Sequence, residues 1–164
     1  MKGNSMKTAL VTGAARGIGF ATCKTFLSEG FNVVMVDIDG AELIVAKNSL
    51  SSDEIQRVQT LKVDVSNPDQ VTEMAANLEA EGVQLHALVN NAGVADFGPI
   101  AETTFERWRR IMSVNLDGPF LMAQACLPLM AKPGGSIVNI ASISGLRAST
   151  LRVAYGTSKA AIIH

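Results

Sequence analysis

Short apolar runs rich in β-branched residues alternate along the chain with stretches whose apolar positions recur at helical spacing. The runs fall at Ala9-Leu10-Val11, at Val33-Val34-Met35-Val36, around Val58 to Val63, at Ala87-Leu88-Val89 and at Ile137-Val138-Asn139-Ile140. Helical patterns lie between them, over residues 17–29 (stopped by Gly30), from residue 40 towards 50, from Pro68 onward, and over 105–130. Asn67 is placed to cap the third of these, with Pro68 at its first helical position. Asp117-Gly118-Pro119 is expected to interrupt the last. Nearly continuous apolar runs are the mark of strands buried on both faces. Strands alternating with helices predict an α/β fold: a doubly wound parallel sheet in three layers, α/β/α, with five strands. No repeat of fixed period or low-complexity segment breaks the alternation, so residues 1–164 read as one domain. Residues 1–5, ahead of a second methionine, Met6, read as an alternative start or a tag.

Composition narrows this only slightly. With 48% hydrophobic residues, 18% charged and 14 glycines, the chain is that of a soluble domain with a substantial core. A formal net charge of −1 supplies no electrostatic attraction to nucleic acid or to an anionic membrane. No apolar run has the length of a membrane span, and the start lacks a signal peptide's apolar region. A cytoplasmic location is therefore expected. Cys23 and Cys126 lie in separate helical patterns and read as buried free thiols. His86 and His164 lack metal-ligand spacing, so no metal site is expected.

Candidate chemistry begins where the first strand gives way to the first helix, at Thr12-Gly13-Ala14-Ala15-Arg16-Gly17-Ile18-Gly19. Small residues there let backbone approach a pyrophosphate, whose charge meets the amides at a helix N-terminus. The spacing is G-x-x-x-G-x-G, and a tight turn that merely packs is the competing reading. Asp37, directly after the second strand, sits where an acid binds the adenine ribose 2′-hydroxyl. A carboxylate there repels a 2′-phosphate and favours NAD over NADP, although Arg16 pulls the other way. Tyr155 and Lys159, four residues apart in Tyr155-Gly156-Thr157-Ser158-Lys159, share a helix face if that stretch is helical. An ammonium beside a phenol favours the phenolate and makes it a usable general acid or base. On its own, a Tyr–Lys pair at that interval is commonly just a helix surface.

Taken together with Asp64-Val65, Asn90-Asn91-Ala92-Gly93, Asn115 and Ser142, these motifs make the sequence resemble the short-chain dehydrogenase/reductase family. The T-G-x-x-x-G-I-G turn, the N-N-A-G segment and Y-x-x-x-K occur in the family's order, and Ser142 precedes Tyr155 by thirteen positions. The resemblance covers essentially the whole chain and implies a Rossmann-like fold. It implies that Gly13, Arg16, Gly17, Ile18 and Gly19 line the pyrophosphate and adenosine end, with Asp37 on the ribose. Asp64 and Val65 would contact adenine, and Asn90, Ala92 and Gly93 would pass beneath the cofactor. Ser142, rather than its neighbour Ser144, would bond the substrate oxygen, and Tyr155 would exchange the proton. Lys159 would hold the nicotinamide ribose and ease the loss of that proton, and Asn115 would hold a water leading protons to Lys159.

The implied activity is an NAD-dependent oxidoreductase (NADP being the less favoured cofactor) acting on a small secondary alcohol or ketone. The alternative is a non-catalytic or inactive dinucleotide-binding module. Helices around Trp108 and Met122 would pair subunits, giving a homodimer or homotetramer, unless they simply pack on the sheet. Val94, Ala95, Phe97, Leu146 and Arg147 are expected near the pocket mouth, with Arg147 a hint of an anionic substrate. Family members carry a further strand and a closing loop beyond the Tyr–Lys helix, so the chain is expected to be an N-terminal part of a longer enzyme, binding cofactor at best when alone.

Overall fold

β1 (Thr8–Thr12) lies at the centre of a five-stranded sheet of order β3-β2-β1-β4-β5, in a computed structural model that describes residues 6–130, 132 and 134–164. The expected alternative start or tag at residues 1–5 falls outside the described residues. β2 (Asn32–Asp37), β3 (Val58–Lys62), β4 (Leu85–Asn90) and β5 (Ser136–Asn139) join it, and every strand pairing is parallel. The chain winds outward from β1 to β3, then returns to the other side of β1 through β4. That reversal opens a crevice at the carboxyl ends of β1 and β4, where ligands bind in doubly wound sheets.

Both faces of the inner strands are covered, as the apolar runs require. Leu10, Val34, Val36 and Leu88 face Val71, Met74 and Leu78 of α4 (Pro68–Ala80) and Met122 and Cys126 of α6 (Gly118–Cys126). Val11, Val33, Met35 and Val89 turn the other way, towards Cys23 and Leu27 of α1 (Gly17–Ser28) and Leu43 and Ala46 of α2 (Gly40–Asn48). Each fully buried Leu or Met contributes about 1.5–3 kcal/mol. Met122 is completely buried in this core and packs on the sheet. Both cysteines are free and buried, and burial pushes each thiol up to about 12, which leaves them unreactive. β5 differs from the other strands: it bonds only to β4, and Ile137 and Val138, on opposite faces, are both exposed.

Local signals explain most boundaries. The Asn67 side chain accepts from the Asp69 and Gln70 amides at 3.0 and 3.1 Å, which starts α4 as expected. A four-residue helix, α3 (Ser52–Ile55), was not anticipated. It is held by a capping box in which the Ser51 hydroxyl accepts from the Glu54 amide and Glu54 accepts from the Ser51 amide. The expected interruption at Asp117-Gly118-Pro119 is misplaced. The irregularity is a π-helical segment, Ser113–Asp117, following α5 (Phe105–Met112), whereas Gly118 and Pro119 form the first turn of α6. Proline is harmless in a first helical turn. Gly118 is required by packing, since a Cβ there would lie 2.9 Å from Val65 Cγ2.

Candidate active site

The turn leaving β1 and the segment leaving β4 touch, and glycine makes the contact possible. A Cβ on Gly13 would lie 2.9 Å from the Ala92 Cα, and one on Gly19 would lie 2.0 Å from the Gly13 carbonyl oxygen. Gly13 and Gly17 also adopt left-handed backbone, at φ 62° and 57°. Thr12 ties the two segments together. Its hydroxyl donates to the Val89 carbonyl at 3.4 Å and accepts the Asn91 and Ala92 amides, each at 3.0 Å. The Asn91 side chain reaches back to the Thr12 and Gly13 carbonyls at 2.9 and 3.1 Å.

A cleft of about 460 Å³ opens above this junction. Gly13, Arg16, Asp37, Asp64, Val65, Ala92 and Gly93 all contribute to its wall. Arg16 precedes α1 without capping it by side chain, and Ile18 is exposed at the same helix start. Free amides at a helix N-terminus suit an anionic group. Asp37 accepts the Ala15 amide at 3.0 Å through one oxygen and the Asp39 amide at 3.1 Å through the other, leaving further lone pairs on both. Asp64 accepts the Ser66 amide and hydroxyl through Oδ1, at 2.9 and 2.6 Å. Asn90 lies below the floor rather than on the wall. It is buried and donates to Asn139 Oδ1 of β5 at 2.9 Å, and its own Oδ1 has no partner among the described residues.

Gly93 links this cleft to the Tyr–Lys pair. A Cβ at Gly93 would stand 3.3 Å from Asn115 Oδ1, tighter than most such contacts, and in ordinary contact with Lys159 Nζ at 3.8 Å. Tyr155 and Lys159 both lie on α7 (Val153–Ile163), with the ammonium 5.9 Å from the Tyr155 ring centroid. Lys159 is buried and donates to the Ile140 carbonyl at 2.6 Å, and burial holds it below the usual lysine range. Asn115, in the π-helical segment, accepts the Val94 amide at 2.8 Å and donates to the Val94 carbonyl at 2.9 Å and the Ser158 hydroxyl at 3.1 Å. Both its amide protons are thus committed to protein. Ser142 caps a 3-10 turn, Ile143–Gly145, accepting the Ser144 amide at 3.2 Å and keeping its own proton to donate.

Several residues at the site had not been singled out. Thr12 and Asn91 clamp the floor, Ser158 bridges Asn115 to the Tyr155 carbonyl at 2.8 Å, and Arg110, Ser113 and Val114 complete the cleft wall. A usable signal existed for Asn91, whose polar side chain beside three small or polar residues sits at a strand end. Among the described residues there is no cluster of His, Cys, Asp and Glu fit for a metal, and no helix long and apolar enough to cross a membrane.

Known proteins resemble the chain throughout. A model of the short chain dehydrogenase family matches residues 7–164. Galactitol 2-dehydrogenase of Agrobacterium fabrum is 38% identical over 159 residues, which are 96% of this chain and 60% of that protein. The 3-oxoacyl-(acyl-carrier-protein) reductase of Chlamydia trachomatis serovar D is 36% identical over 158 residues, covering 96% of this chain and 64% of that one. A solved short chain dehydrogenase/reductase from Burkholderia phymatum, in complex with NAD, matches with a TM-score of 0.88 and 34% identity, over 96% of this chain and 57% of that chain. The chain therefore spans less than two thirds of the length of these relatives.

Proposed function

Because the chain belongs to the short-chain dehydrogenase family, we propose that the whole protein is an NAD-dependent oxidoreductase interconverting a secondary alcohol and a ketone. The observation that carries this reading is the joining of the two halves of the site at Gly93, which borders both the cleft and the Lys159 ammonium. A binding module has no use for a buried ammonium next to a phenol, so a purely regulatory role is the weaker reading.

The residues present fit a nicotinamide dinucleotide. The glycine turn leaves room for a pyrophosphate against the start of α1, Asp37 offers acceptors to ribose hydroxyls, and Val65 and Val114 give an adenine ring apolar walls. When bound, such a cofactor supplies the hydride acceptor or donor. Asp37 favours NAD, since its charge opposes a 2′-phosphate.

Proton transfer falls to the chain's own side chains. Ser142 donates its free proton to the substrate oxygen and fixes its position. Tyr155 takes the hydroxyl proton during oxidation and returns one to the oxygen during reduction. Lys159 places a positive charge 5.9 Å from the Tyr155 ring centroid. Its buried setting keeps water from screening that charge. Asn115 is a positioning residue, holding Val94 and Ser158, and through Ser158 the Tyr155 turn of α7. We extend the reading to a homodimer or homotetramer in the full-length protein, which sedimentation velocity measures directly.

The test is an absorbance screen for NADH with the full-length protein, run against secondary alcohols and ketones, with NADP in parallel. Turnover with NAD is expected. Preference for NADP would remove Asp37 from its role, and no turnover with any member of a broad panel would favour the binding-module reading.

A further inference from the structure

A second cavity, of about 620 Å³, has Ser144 and Gly156, close in sequence to Ser142 and Tyr155, in its wall. Two of its lining residues are arginines, Arg147 and Arg152, and none of its described lining residues is acidic. Apolar side chains, Ile100 and Leu146 among them, supply much of the rest. Arg147, the arginine expected at the mouth, is exposed and makes no side-chain bond among those described. Arg152 is the one that is held.

The Arg152 guanidinium stacks 4.8 Å from the centroid of the Phe97 ring, and its Nη1 donates to the Ser144 hydroxyl at 3.4 Å. Neighbouring backbone fixes the same contact: Gly98 donates to the Leu151 carbonyl at 3.0 Å, and Leu151 is held at φ 59°. A leucine keeps that conformation only where its surroundings impose it. The ion pairs among the described residues are Arg107–Asp96 and Arg109–Asp117, and neither involves Arg152. A half-buried guanidinium between an aromatic face and apolar walls has lost hydration without gaining a counter-charge. The Phe97 ring and Ser144 engage only part of the guanidinium, and a fork of N–H donors is the feature of arginine that matches a carboxylate or a phosphate.

We infer that Arg152 binds an oxyanion on the substrate, so that the substrate is a secondary alcohol or ketone bearing a carboxylate or phosphate-ester group. The inference rests on the oxidoreductase reading for what happens at Tyr155. Arg152 occupies the position just before the first turn of α7, three residues before Tyr155 and roughly 4.5 Å from it along the helix axis. In this proposal one small molecule spans both, its anion on Arg152 and its carbinol carbon at Tyr155. None of the described residues in the wall opposes this charge, and Ser144 adds a hydroxyl beside the guanidinium.

The full-length protein is assayed with NAD and matched series of secondary alcohols: hydroxycarboxylates with their amides, and phosphorylated polyols with their unphosphorylated forms. One anionic series is expected to exceed its neutral counterpart in kcat/KM. Arg152→Gln should reduce that anionic-to-neutral ratio by roughly 10- to 100-fold, mainly through KM, with Arg152→Lys recovering part of it. The series that responds distinguishes carboxylate from phosphate. Equal use of charged and neutral partners, or an unchanged ratio in Arg152→Gln, overturns the inference. Should Arg152→Gln fail to fold by circular dichroism, Arg152→Lys alone gives the ratio. If no alcohol is oxidised by any form, the oxidoreductase reading has failed, and calorimetric titration with malonate and inorganic phosphate decides the anion site. Binding that Arg152→Gln loses then supports it, and identical titrations of the two proteins overturn it.

Discussion

The Asp37 carboxylate accepts the Ala15 amide at 3.0 Å, so the acid at the end of β2 is bonded to the glycine turn that leaves β1. One side chain thereby sets the shape of the turn and places a negative charge on the cleft wall.

Asparagine at this position removes the charge while its single oxygen still accepts one of the two amides, those of Ala15 and Asp39, that Asp37 holds. Asp37→Asn is expected to shift the NADPH-to-NADH affinity ratio towards NADPH by roughly 10-fold or more, at a cost of about 1–2 kcal/mol in stability for the amide that loses its acceptor. Fluorescence titration with both reduced cofactors measures it; an unchanged ratio would show that the charge plays no part in the choice.

Two glycines of the same turn should respond differently to alanine. At Gly19 the new Cβ would meet the Gly13 carbonyl oxygen at 2.0 Å, and backbone cannot step aside cheaply. Gly19→Ala is expected to cost about 3 kcal/mol or more and to abolish dinucleotide binding. At Gly17 nothing lies within 4 Å of the added methyl, and only its φ of 57° resists. Gly17→Ala is expected to cost about 1 kcal/mol. Urea denaturation of both variants checks the contrast, and equal costs would mean the turn relaxes around Gly19.

Tyr155→Phe keeps the ring and deletes the exchangeable proton. Turnover is expected to fall by roughly 100- to 10,000-fold, with cofactor affinity within about threefold of the parent. Steady-state rates and NADH titration on the same preparation test it. A variant that retains turnover would assign the proton to another group.

Burial holds Lys159 below its ordinary value of 10.5. Between that lowered value and 10.5 the unfolded chain binds more protons than the folded one, so folding stability rises with pH across this window. Below the window both states carry the charge, and the folded state bears its desolvation. Lys159→Met removes the dependence. Its stability relative to the parent should therefore be highest near neutrality and decline as pH rises through the window, while turnover falls by about 100-fold or more. Denaturation curves at pH 7 and pH 10 give the sign, and a relative stability that grows with pH would contradict it.

Much of the architecture was legible because each inner strand is apolar on both faces and short, so β1, β2 and β4 announce themselves without alignment. What escaped depended on neighbours. Ser51 and Glu54 carry a capping box, yet the four residues of α3 are too few to show an apolar period. Gly118-Pro119 reads as a helix break in one dimension. In the fold the proline sits in a first turn and the glycine makes space for Val65, while the irregularity falls around Asn115. At the site, the Tyr155/Lys159 interval and the Gly13–Gly19 spacing were visible because they are local. The stacking of Arg152 on Phe97 was not, since it joins the loop after β4 to the start of α7, and only tertiary structure brings those together.

Thr12 uses both lone pairs and its proton on the segment leaving β4, without drawing on any small molecule. The junction is therefore rigid before a nucleotide arrives. Any loss of chain entropy on association must come from the rims, and calorimetry should find an association heat capacity governed by surface covered rather than by coupled folding. Evolving a new cofactor preference then requires changes to the walls alone, because the platform beneath them is common to every occupant.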